Sequence, residues 1–160
     1  MNTMYLDASA LWAMYNGQPG KDLVKHVLDG SKFRVSTSLW SRVELQRAVK
    51  KRCNMGEISL DDAIHMGDFI NASLAKFEIS NVLLVLPVSL AIIDKASTFI
   101  AEYNLYSADA VHLASALLGG STCFIADDQH LTRLHDTVLA NLAIEILPAA
   151  GTGIGSLPVP

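Results

Sequence analysis

A chain of 160 residues with 51% hydrophobic and only 18% charged residues can build one domain around a substantial core. Its 12 Lys and Arg against 16 Asp and Glu leave a formal charge of -4, which argues against an all-over basic coat for nucleic acid. It leaves room for a local basic patch beside an acidic metal centre. Cys53 and Cys123 are too few for a disulfide scaffold and too far apart for a zinc motif, so both are read as reduced and the protein as cytoplasmic. No apolar run approaches the ~20 residues of a membrane span, and the start shows no basic-plus-apolar leader. So apolar a composition also points to a surface that meets another protein.

Thr3 to Asp7 reads as a short first strand ended by Asp7, and a strand that starts the chain is expected to be central. Residues 8–15 look helical, with Ser9 near the start, and the Asn16 to Gly20 cluster is a turn. A helix resumes over 21–29, with Leu23, Val24, Val27 and Leu28 inward and Gly30 as its stop. Phe33 to Thr37 is a second strand. Ser36 or Ser38 then caps a long helix over 39–54, whose expected apolar face is Leu39, Trp40, Val43, Ala48 and Cys53. Arg47, Lys50, Lys51 and Arg52 make its second half basic. Ser59 opens a helix with a capping box, and Leu60, Ile64, Ile70, Leu74 and Phe77 are expected to face inward.

Val82 to Leu86 is a continuous apolar strand of the kind a parallel sheet buries. Ser89 caps a helix over 90–103. Ser107 is read as the cap of the next helix, with Asp109 at its second position and Ala110, Leu113, Ala114 and Leu117 as its packing face. Thr122 to Ala126 is a fourth strand, 129–135 a short helix, and Ala143 to Leu147 a fifth strand. This alternation predicts an α/β domain over 1–148, with a mostly parallel sheet of about five strands between helices on both faces: a three-layer α/β/α sandwich. Residues 149–160 carry no charge and are rich in Gly, Ala and Pro, so they are expected to form a poorly ordered tail.

Four acids occupy equivalent places: Asp7 at the end of strand one, Glu44 one turn into the helix after strand two, Asp109 at a helix start, and Asp128 just past strand four. An open parallel sheet binds ligands outside the carboxyl ends of its strands, so all four can reach one rim. Clustered carboxylates repel unless a hard cation joins them, and oxygen ligands suit Mg2+ or Mn2+. The matching chemistry is phosphodiester hydrolysis. Each acid also has a bland reading: Asp7 as a turn residue, Glu44 paired with Arg42 or Arg47, Asp109 as a first-turn acid, and Asp127-Asp128 as a helix cap.

At these positions the chain resembles the PIN-domain ribonucleases, most closely the VapC-type toxins of toxin–antitoxin pairs. Tyr5 to Leu11, Ser38 to Ala48, Asp109-Ala110-Val111-His112-Leu113-Ala114 and Phe124 to Leu131 carry the resemblance, in family order. It implies that Asp7, Glu44, Asp109 and Asp128 bind Mg2+ or Mn2+, with Asp128 favoured over Asp127 because it lies three residues before Leu131. It also implies a ribonuclease that dimerises and is silenced by an antitoxin. Ala126 stands where the family usually has Thr or Ser. Ser9, Asp127 and His112 are candidates for support of the acids; His112 is read as a hydrogen-bonded structural residue that can face the groove. Arg42, Arg47, Lys50, Lys51 and Arg52 are the candidate RNA contacts. The competing readings are a PIN-like scaffold with a weak or inactive site and another Mg-dependent phosphohydrolase on a similar sheet.

Overall fold

Successive residues of a strand point to opposite faces of a sheet, and here both faces are apolar. In the computed structural model, which describes residues 3–29, 32–134 and 142–146, β1 (Thr3–Leu6) sends Met4 and Leu6 into one buried layer and Tyr5 into the other. β4 (Cys123–Ala126) does the same, with Cys123 and Ile125 on one side and Phe124 and Ala126 on the other. Strands buried on both faces need helices on both faces. The first layer is closed by α1 (Ala8–Tyr15), α2 (Lys21–Asp29), α3 (Trp40–Asn54) and α4 (Leu60–Ile79). The second is closed by α5 (Leu90–Tyr103) and α6 (Ser107–Leu118). The result is the expected α/β/α sandwich.

With β2 (Arg34–Ser38), β3 (Leu84–Leu86) and β5 (Ala143–Ile146), the sheet runs in the order β3-β2-β1-β4-β5. Every pairing is parallel, with Tyr5 opposite Ser36 on one side and opposite Phe124 on the other. The chain steps outward from β1 to β3, then crosses back to β4 on the other flank. That reversal makes the β1–β4 seam the switch point, where the crevice of such a sheet opens. The Asp7 N–H donates to the Ile125 carbonyl at 2.9 Å, carrying the pairing of the two strands up to the rim.

Several local expectations are corrected. Leu39, Trp40 and Val43 are exposed, and α3 instead buries Ser41, Leu45 and Val49. Ser41 is tolerated inside because its hydroxyl lies 2.7 Å from that of Thr37, which donates to the Leu6 carbonyl. Leu60 and Ile64 are also exposed, whereas Ile70 and Leu74 are buried as expected. The strand expected over 82–86 is shorter and lies at an edge of the sheet, which leaves Leu84 exposed. Ser107 is not a cap: Tyr106 takes that place in an extended conformation, and its carbonyl accepts from the Ala110 N–H at 3.0 Å. Asp109 is therefore the third helical residue, still within reach of the positive helix end. Ser59 and Ser89 do cap their helices. Gly30, His135, Leu147 and the expected tail over 149–160 lie outside the described residues.

Candidate active site

Asp7 leaves β1 in an extended conformation and becomes the cap of α1, its Oδ2 accepting from the Ser9 N–H at 3.0 Å. The Ser9 hydroxyl donates to the same oxygen and accepts from the Asp127 N–H at 2.9 Å. One serine thus ties the end of β1 to the segment after β4 and fixes the direction of the Asp7 carboxylate. Asp128 accepts from the His130 N–H at 2.8 Å, the local bond expected of an aspartate at a short helix start. That helix is a 3-10 helix over Gln129–Leu134.

A groove of about 470 Å3 opens above the β1–β4 seam, and Asp7, Glu44, Asp109 and Asp128 all line it. Burial, then the negative charge of Asp128 and of Asp7, raises the Asp109 pKa to about 6. Burial and Asp128 also raise Asp127, which is exposed. Among the described residues no group of three or more His, Cys, Asp or Glu side chains is placed so that it could hold a metal ion by itself. The carboxylates face a shared, open groove instead.

His112 is buried beneath this groove. Its Nε2 meets the Glu44 carboxylate and lies 3.4 Å from Asp7 Oδ1, while Nδ1 is 2.7 Å from the Tyr5 hydroxyl. A carboxylate only accepts, so Nε2 carries the hydrogen. Burial works to lower the His112 pKa, but Asp7 and Glu44 outweigh it and hold the imidazole above its ordinary value. The ring thus joins two acids from distant segments. Tyr5 is pushed well up by burial first and by Asp7 second, so it stays a neutral phenol behind the histidine. Glu44 therefore pairs with His112, while Arg42 pairs with Glu78 on α4 at 2.8 Å.

The basic candidates divide. Lys51 and Arg52 line the acidic groove, and Arg52 is steadied by Glu57 at 2.9 Å and by Asn16 Oδ1 at 2.7 Å. Lys50 lines a different cleft, between α3 and α4, and Arg47 is exposed. The roles of Tyr5 and Asn16 escape a reading of the sequence, because their partners lie 107 and 36 residues away. A turn asparagine or a strand tyrosine gives no local sign of such a contact.

The sequence matches the PIN domain over residues 4–137. No curated protein matches it. Similar solved structures include a toxin–antitoxin complex from Klebsiella pneumoniae, with a TM-score of 0.60 and 17% identity over 88% of this chain and 95% of that one. FitAcB from Neisseria gonorrhoeae aligns with a TM-score of 0.61 and 14% identity, over 89% of this chain and 96% of its own. VapC20 of Mycobacterium tuberculosis, a Sarcin-Ricin loop cleaving toxin, aligns with a TM-score of 0.58 and 19% identity, over 81% and 93%. These identities carry the fold alone, and the family match covers most of the chain: the protein belongs to the PIN-domain family.

Proposed function

We propose that the protein is a metal-dependent endoribonuclease and the toxin of a toxin–antitoxin pair. One observation carries the reading: four carboxylates from four segments line a single groove, where burial and then their mutual charge raise Asp109 to about 6. The donor chemistry suits Mg2+ or Mn2+, which favour oxygen ligands, keep several waters and are held by a few carboxylates and substrate phosphates. No three of the described side chains could hold the ion by themselves, so waters and a substrate phosphate would complete its ligands. When bound, the cation supplies an activated water and charge neutralisation at the phosphate.

The chain's own residues do the rest. Ser9 aims Asp7, and His112 holds Glu44 beside it. Asp109 and Asp128 complete the acidic floor. Lys51 and Arg52 attract the RNA backbone at one end of the groove, and one carboxylate orients the attacking water. The toxin reading is supported by the structural neighbours, among them a toxin–antitoxin complex and a Sarcin-Ricin loop cleaving toxin. The apolar side chains left exposed at Leu39, Trp40 and Val43 support a dimer or an antitoxin contact. Among the described residues no helix is long and apolar enough to cross a membrane.

A mixed RNA pool incubated with Mg2+ tests the reading. Wild type should cut it, EDTA should stop the reaction, and Asp109→Asn should be inactive. Equal cleavage by both proteins would remove the assigned site, and no cleavage by either would favour the scaffold reading.

A further inference from the structure

Asp109 also lines a second cavity, of about 420 Å3, with Asn104, Leu105, Tyr106, His130 and Arg133. Its size lies within the range of ordinary ligand sites. Tyr106 is 72% exposed although it is a large aromatic residue. Its ring meets that of His130 edge to face, with centroids 6.3 Å apart and planes at 77°. The His130 N–H is held by Asp128, so the cavity wall is fastened to the acidic groove. Arg133 donates to the Asn104 carbonyl at 2.7 Å, which places a guanidinium at the cavity wall.

We propose that this cavity is a nucleobase subsite, in which one base beside the scissile phosphate of single-stranded RNA stacks on Tyr106. The inference rests on the nuclease reading and adds a substrate contact to it. The two cavities share Asp109, so a nucleotide whose phosphate lies over the acids has its neighbour within reach of Tyr106. Each cavity has basic residues in its lining, Lys51 and Arg52 in the acidic groove and Arg133 in the second cavity. A polyanion can cross the acidic floor between them once its charge is neutralised. Single-stranded RNA offers unpaired bases, and recognition by stacking on aromatic rings is its common mode. A duplex would keep its bases away from the ring.

The test uses the full chain, Mg2+ and a short single-stranded RNA containing a cleavage site, with 2-aminopurine placed in turn on each side of it. Tyr106→Ala should lower kcat/KM about tenfold, the scale of one lost stacking contact. Tyr106→Phe, which keeps the ring, should stay within about twofold of wild type, as a sequence-tolerant stack predicts. One 2-aminopurine position should be quenched by wild type and not by Tyr106→Ala, and an abasic nucleotide there should erase the difference between the two proteins. Wild-type cleavage with unchanged kcat/KM and quenching in Tyr106→Ala would overturn the subsite and leave the nuclease standing. A wild type that neither cuts nor quenches any probe would overturn both.

Discussion

His112 and Glu44 are 68 residues apart in sequence, yet the buried imidazole Nε2 meets the Glu44 carboxylate directly. The same nitrogen lies 3.4 Å from Asp7. Groups that orient a metal-binding side chain typically change affinity or activity 10- to 100-fold when removed. His112→Ala should therefore weaken Mn2+ binding and RNA cleavage by about that factor. Loss of the Tyr5–His112 hydrogen bond should cost a further ~1 kcal/mol of stability, since Ser38 and Ser115 also bond the Tyr5 hydroxyl. His112→Gln, which keeps a donor, should recover part of the affinity. Calorimetry and chemical denaturation measure the two effects separately.

Asp109 makes the metal-free protein sensitive to pH. Its pKa is raised to about 6 from an ordinary 3.8, so between those values the folded chain holds more protons than the unfolded one. Stability then falls as pH rises through the window and stays lower above it. Asp109→Asn lacks this penalty. Melts in EDTA should show the variant gaining on wild type from pH 4 to 6, with a constant gap above. Mg2+ should raise the melting temperature of wild type more than that of the variant. Parallel curves would contradict this.

Ser9 joins Asp7 to the segment after β4 with one hydroxyl. Ser9→Ala should lower stability by about 1 kcal/mol and weaken metal binding at least several-fold. Unfolding curves and Mn2+ titration read these out.

Lys51 and Arg52 line the groove, whereas Arg42 is paired with Glu78 and Lys50 faces the α3–α4 cleft. Removing both Lys51 and Arg52 should reduce the slope of log affinity against log salt by about 1.4, roughly 0.7 for each phosphate contact to a single strand. Arg42→Ala with Lys50→Ala should leave the slope near that of wild type. RNA binding measured across a salt series separates the pairs.

The layers of the sheet were legible because buried parallel strands and capped helices leave local patterns. Ser59 and Ser89 each cap the helix they precede, and β1 is central as its place in the chain implies. The inward face of α3 was not legible. Its sequence offers an apolar set at Leu39, Trp40 and Val43, but the sheet receives Ser41, Leu45 and Val49. A polar residue there is explained by Thr37, whose hydroxyl lies against that of Ser41 and donates to the Leu6 carbonyl, 31 residues away in sequence. Asp7, Asp109 and Asp128 could be singled out because each sits at or near an element end, and Glu44 because it lies in an early turn of the helix after β2. Their link through His112 and Tyr5 could not, since it depends on how β1, α3 and α6 pack. The Tyr106 cavity was equally hidden, because His130 and Arg133 are brought to it by the 3-10 helix.

Mn2+ titration of the full chain by calorimetry, with wild type and Asp109→Asn side by side at pH 7.5, tests the four-carboxylate centre most directly. Saturable uptake by wild type, weakened at least tenfold in the variant, is the predicted result (about 1.4 kcal/mol of binding free energy). No uptake by wild type even with RNA present, or the same uptake by both proteins, would contradict it.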